Sequence, residues 1–179
     1  MVYVLLGTGF EEMEAITPID LLRRAGIGVI TVGINGQTVF GGHNIGIQAD
    51  ITIDQLDLEQ MEMIVLPGGL GGVASIKECP KAMQALEYAK KNNKWIAAIC
   101  AAPTILAQEH ITDGIPAVCY PGCEEQMGSA QIQEVACVKH GNVITGTSAG
   151  CAIAFALELI RALKGDTAAA QVQNQIVIR

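Results

Sequence analysis

Six cysteines, at positions 79, 100, 119, 123, 137 and 151, carry the widest chemical range in this 179-residue chain, and Cys100 is set apart by its context. It closes the apolar run Trp95-Ile96-Ala97-Ala98-Ile99 and precedes Ala101-Ala102-Pro103-Thr104-Ile105-Leu106, so a buried strand passes directly into a helix at the sulfur. A nucleophile elbow of this kind projects its side chain into a site, where the N–H groups of the following helix lower a thiol pKa and can hold an oxyanion. Ala101 offers one such N–H, and the turn Leu66-Pro67-Gly68-Gly69 after another strand can bring a second, from Gly69 or Leu70. A free cysteine is also commonly a small buried hydrophobe, and the residues alone leave both readings of Cys100 open.

Carboxylates gather at Glu11, Glu12 and Glu14, just behind Gly7-Thr8-Gly9. An acidic first helical turn answers the helix dipole and needs no further role, whereas a carboxyl in a dry strand-end site has its pKa raised and can donate a proton at neutral pH. Cys119 and Cys123 with Cys137 and His140 imitate a zinc spacing. Lys139-His140-Gly141-Asn142 reads more simply as a hairpin turn, so no metal is expected. Cys119 and Cys123 flank the loop expected to face Cys100, either as resolving thiols after oxidation or as inert packing. Gly69-Leu70-Gly71 with Ala74 fits a dinucleotide fingerprint, but it lies outside the first βα unit and the next strand ends at Cys100 instead of an acidic ribose ligand. No cofactor is expected.

The elements that must position these groups follow from short apolar runs alternating with helical patterns, the mark of βαβ units around a parallel sheet covered on both faces. Strands are expected at Val2–Leu6, Gly28–Val32, Met63–Leu66, Trp95–Ile99, Ala117–Cys119 and Val143–Thr145, and helices at Met13–Ala25, Lys81–Asn92, Ala102–Glu109 and Ala149–Lys164. The last helix is expected to be largely buried through Ile153, Leu157 and Ile160. Gln37–Ile53 alternates loosely around Gly41-Gly42 and reads as an antiparallel excursion. Ligands of open α/β sheets bind beyond the carboxyl ends of the strands, which points to Glu11, Glu12 and Glu14, Gly68-Gly69, Cys100-Ala101, Tyr120 and Gly146-Thr147.

The length fits one domain, residues 1–179. Half the residues are apolar, yet no apolar run approaches the roughly 20 residues of a membrane helix, so no membrane partner is expected. A net charge of −7 argues against a nucleic-acid backbone as main partner. Val2-Tyr3-Val4-Leu5-Leu6 follows Met1 with no basic segment or cleavage site and reads as a first strand, giving a cytoplasmic expectation in which the cysteines are reduced thiols.

Three ordered motifs, Gly9 to Gly26 with Glu14, Asp20 and Arg24 in it, Val65-Leu66-Pro67-Gly68-Gly69, and Ala97-Ala98-Ile99-Cys100-Ala101-Ala102-Pro103, together resemble the ThiJ/PfpI superfamily, specifically its DJ-one branch; the likeness runs on to Ala168-Ala169-Ala170-Gln171-Val172. The resemblance implies a flavodoxin-like three-layer α/β sandwich with a mostly parallel central sheet, usually a homodimer. It sets Cys100 at the family's reactive-cysteine position, and Glu14 at that of a buried, protonated glutamate that hydrogen-bonds the thiolate. The pattern also departs. The family's His-Pro step looks like Tyr120-Pro121 here, and a phenol is a poor base at neutral pH. Alanine at 101 replaces the histidine of the protease branch. The Arg-Gly-Pro-Gly segment looks like Thr147-Ser148-Ala149-Gly150, a second arginine is replaced by His43, and Arg24 keeps its match. If the family arrangement holds, a partner subunit's Arg24, with His43 and the Thr147 hydroxyl, forms a small anion pocket.

Two functions use these residues. In the first, Cys100 attacks a small α-oxoaldehyde or its adduct on a glycated protein, the N–H groups of Gly69 and Ala101 hold the oxyanion, and Glu14 moves the proton: a cofactor-independent glyoxalase or deglycase. In the second, Cys100 is an oxidisable sensor or serves a chaperone, without turnover.

Overall fold

The computed structural model describes residues 1–178; Arg179, the end of the expected domain, lies outside the described residues. The elements in chain order are β1 (Val2–Leu6), α1 (Glu12–Arg24), β2 (Val29–Gly33), β3 (Thr38–Phe40), β4 (Gly46–Gln48), β5 (Ile51–Thr52), β6 (Met63–Leu66), α2 (Leu70–Glu78), α3 (Pro80–Lys91), β7 (Trp95–Ile99), α4 (Pro103–Gln108), β8 (Pro116–Ala117), β9 (Gln131–Ile132), β10 (Cys137–His140), β11 (Val143–Gly146) and α5 (Ala152–Gln175).

Alternate residues of the inner strands face opposite sides, and both sides are apolar. Val2, Val4 and Leu6 of β1, with Met63, Val65, Ala97, Ile99 and Ile144, pack under α1 and α5. Tyr3 and Leu5, with Ile64, Leu66, Ile96 and Ala98, pack under α2, α3 and α4. Burial on both faces explains why these strands read as continuous apolar runs. The result is the expected three-layer α/β sandwich. The seven-stranded sheet runs β10-β11-β7-β6-β1-β2-β5, parallel except for the β10–β11 hairpin, whose turn falls where Lys139-His140-Gly141-Asn142 places it. The chain winds outward from β1 through β2 to β5 and then crosses back to β6 on the other side of β1, so the strand order reverses between β1 and β6. The crevice beyond their carboxyl ends is the binding position of such sheets.

The structure differs from expectation in four places. Helix α2 occupies Leu70–Glu78, a stretch for which the sequence pattern predicts no helix. The short strand near Ala117 lies at Pro116–Ala117 and pairs with β9 outside the main sheet. The last helix follows a single 3-10 turn at residues 149–151, breaks at Gly165 (φ 81°, ψ 176°) as the glycine predicts, and then resumes to Gln175. Its buried face passes through Ala152, Phe155, Ala156, Leu159 and Ile160, which leaves Ile153 44% exposed while Leu157 is buried. Within Gln37–Ile53, β3 and β4 form the antiparallel excursion, and β5 joins the main sheet beside β2. Among the described residues no helix is long and apolar enough to cross a membrane.

Candidate functional site

Cys100 sits one residue beyond β7 with φ +67°, the left-handed region that a side-chain-bearing residue enters only under local constraint. The constraint is visible on both backbone groups: its N–H donates to the Gly146 carbonyl at 2.9 Å and its carbonyl accepts from the Tyr120 N–H at 2.7 Å. β11 and the Tyr120 loop thus clamp the elbow and aim the side chain across the ends of β6 and β1.

The β6 end supplies the floor. Gly68 lies so close that a β-carbon there would sit 2.6 Å from Cys100 Cβ and 3.0 Å from its Sγ, and would collide with the Glu14 carboxyl as well. Gly69 follows with φ +82° as the N-cap of α2, packed so tightly on the first loop that a β-carbon would reach within 2.6 Å of the Glu11 nitrogen. Glycine is required at both positions, at Gly68 by space and at Gly69 by space and conformation. The N–H groups of Gly69 and Ala101 both face the sulfur and favour its thiolate.

The β1 end supplies the carboxyl. Glu11 caps α1, its side chain accepting from the Glu14 N–H at 2.8 Å, and its own N–H donates to the Gly68 carbonyl at 3.0 Å. Glu14, one turn in, is wholly buried; its Oε2 accepts from the Gly68 N–H at 3.0 Å, while Oε1 has no hydrogen-bond partner. Burial, more than the partial compensation from the adjacent Cys100 thiol and the Gly68 N–H, raises its pKa to about 7. Burial and the facing Glu14 charge push the Cys100 thiol up to about 12. Two facing negative charges oppose one another, so the pair keeps at least one proton through neutral pH. With the proton on Glu14, the repulsion on the sulfur vanishes and the Gly69 and Ala101 N–H groups stabilise a thiolate. That microstate is nucleophilic, and its acid is next to it.

A cavity of about 460 Å³ opens over the sulfur, lined by Cys100, Gly69, Ala101, Tyr120, Leu70 and Cys123, among others. The structure therefore brings together Cys100, Glu14, Gly69, Ala101 and Tyr120. Within one chain the remaining three lie apart from them. Thr147 lines a neighbouring groove, and its hydroxyl donates to the Val135 carbonyl at 2.6 Å. His43 Nδ1 meets Glu12 Oε2 at 2.8 Å, and Arg24 Nε meets Asp20 Oδ2 at 2.8 Å near the end of α1. Glu12 thus has a task besides the helix dipole: it accepts the His43 N–H at 2.7 Å and fastens the β3–β4 loop to α1. Glu11, expected at the strand ends, and Leu70, expected as an alternative N–H donor beside Gly69, also line the cavity, as does Gln126, which no sequence signal marks. The zinc-like set of Cys119, Cys123, Cys137 and His140 does not form a ligand cluster; among the described residues only Glu11, Glu12 and His43 lie at such spacing.

Residues 1–162 match the model of the DJ-1/PfpI family. Protein dj-1beta of Drosophila melanogaster is 35% identical over 178 residues, 98% of this chain and 95% of the fly protein. A glutathione-independent glyoxalase of Caenorhabditis elegans is 30% identical, covering 87% of this chain and 83% of that protein. The crystal structure of the fly DJ-1beta superposes with a TM-score of 0.93, covering 99% of this chain and 97% of that one. A mutant of a DJ-1 superfamily protein from Salmonella typhimurium gives the same score at 30% identity, covering 99% and 98% of the two chains.

Proposed function

The chain belongs to the DJ-1/PfpI family, and from that premise we propose that it is a cofactor-independent glyoxalase-type enzyme that converts small α-oxoaldehydes such as methylglyoxal, or their adducts on proteins, with Cys100 as nucleophile and Glu14 as proton carrier. The carrying observation is the pairing of a conformationally constrained Cys100 with a wholly buried Glu14 that holds its proton up to about pH 7. The glyoxalase relative in Caenorhabditis elegans supports the same chemistry.

The Cys100 thiolate adds to the aldehyde carbon, and the developing oxyanion is held by the Gly69 and Ala101 N–H groups and takes the proton of Glu14. The resulting Glu14 carboxylate removes the hydrogen from that carbon and returns it to the neighbouring ketone carbon through an enediol. This leaves a thioester on Cys100. Water then releases the hydroxy acid and regenerates the thiol, so that methylglyoxal and one water give lactate with no net oxidation. Tyr120, at the rim and 48% exposed, donates a hydrogen bond to substrate oxygen.

We further propose that the protein is cytoplasmic and homodimeric. The exposed Met13 and Ile16 on α1, and Phe40 and Ile45 on or beside the hairpin, are apolar surface suited to a second copy. The test of function is lactate formation from methylglyoxal, without glutathione, by the native protein, Cys100→Ser and Glu14→Gln. Turnover in the native protein and its loss in both variants supports the reading; native protein without turnover refutes it.

A further inference from the structure

Cys123 lines the same cavity as Cys100. The two are joined by a short backbone relay: the Tyr120 N–H donates to the Cys100 carbonyl at 2.7 Å, and the Cys123 N–H donates to the Tyr120 carbonyl at 2.9 Å, closing the turn Tyr120-Pro121-Gly122-Cys123. Gly122 within it has φ +96° and open space where a side chain would be, so no side chain there packs the turn down. Cys119 is a different case. It lines the neighbouring groove with Thr147 and Cys151 and does not border the Cys100 cavity. Cys123 is itself buried, so its sulfur is reached through that cavity.

We propose that Cys123 is a resolving thiol for Cys100, making the protein a two-cysteine reductant of small hydroperoxides, an activity independent of carbonyl turnover. The Cys100 thiolate attacks the terminal peroxide oxygen. The O–O bond breaks, two electrons pass from sulfur to the peroxide, the alkoxide leaves as the alcohol with the proton from Glu14, and Cys100 becomes a sulfenic acid. The Cys123 sulfur then attacks the Cys100 sulfur, the S–O bond breaks, and the hydroxyl leaves as water with the proton of Cys123. A small dithiol reductant such as dithiothreitol restores both thiols. Disulfide geometry requires the two α-carbons to lie within about 7 Å when the bond forms. Because burial and the Glu124 charge raise the Cys123 thiol, the second step is expected to quicken as pH rises.

The experiment treats the native protein with one equivalent of hydrogen peroxide, blocks remaining thiols and maps the peptides by mass spectrometry. The expected product is a Cys100–Cys123 linked peptide, lighter by two hydrogens and reversed by dithiothreitol, formed equally in Cys119→Ser; Cys123→Ser is expected to carry Cys100 on to the sulfinic acid. Native protein with Cys100 sulfinic acid and a blocked Cys123, or with Cys100 linked to Cys119 or to a second chain, overturns the proposal. The decisive reading comes from the native protein and stands even if Cys123→Ser fails to fold.

Discussion

Replacing Glu14 by glutamine keeps the shape of the side chain and removes its titration, which separates packing from proton storage. In the folded protein the Glu14 pKa is raised from 4.5 to about 7, so the folded state holds a proton that the unfolded chain has already released. A raised carboxyl contributes stability that is fully present below pH 4.5 and is lost as pH rises through about 7. At about 1.4 kcal/mol for each pH unit, the loss across that window reaches about 3 kcal/mol. Glu14→Gln lacks this slope. Urea unfolding of both proteins at pH 5, 6, 7 and 8 reads it directly: the native midpoint falls relative to the variant between pH 5 and 7 and runs parallel to it above pH 8. A midpoint difference that stays constant over the whole range refutes the reasoning, because it means Glu14 is ionised at pH 5 in the fold.

Gly68→Ala introduces a methyl 2.6 Å from Cys100 Cβ; the site must open to accept it, and iodoacetamide labelling of Cys100 and methylglyoxal turnover are both expected to change by at least tenfold. The His43 imidazole is raised by its hydrogen bond to Glu12, so the contact that fastens the β3–β4 loop is charged below that raised pKa and neutral above it. Hydrogen exchange at the amides of Gly41 to Asn44 is expected to be slower at pH 6 than at pH 8.5 after correction for intrinsic rates, and His43→Ala to abolish the difference. Phe155 is wholly buried under the sheet, and Phe155→Ala is expected to cost about 3–5 kcal/mol in urea unfolding while leaving Cys100 in place. Light scattering on the native protein and on Met13→Glu with Ile16→Glu is expected to give dimer and monomer respectively.

The centre of the site was legible because its signals are local in sequence. An apolar strand running straight into Cys100-Ala101-Ala102-Pro103 declares an elbow, and Pro67-Gly68-Gly69 after a neighbouring strand declares a close backbone approach. Glu14 could be picked from three carboxylates only through the family likeness; its burial depends on Gly68, 54 positions away in the chain. The hydrogen bonds of His43 to Glu12 and of Thr147 to Val135 depend equally on contacts between segments that no spacing encodes. Helix α2 was hidden for a related reason. Gly71 and Gly72 are poor helix formers, and they are there because α2 packs on the first loop so closely that a β-carbon at Gly72 would come 2.7 Å from the Phe10 α-carbon. Ile153 shows the reverse error: its spacing from Leu157 matches a buried stripe, but the face of α5 that meets the sheet is offset toward Ala152 and Phe155.

Proton NMR of methylglyoxal with the native protein in deuterated water, without glutathione, tests the proposal that Cys100 holds the substrate while Glu14 carries its proton. Lactate bearing deuterium at its second carbon is expected, because the Glu14 proton exchanges with solvent, with no lactate from Cys100→Ser or Glu14→Gln. Unchanged methylglyoxal with the native protein, or lactate formed equally well by Cys100→Ser, would contradict it.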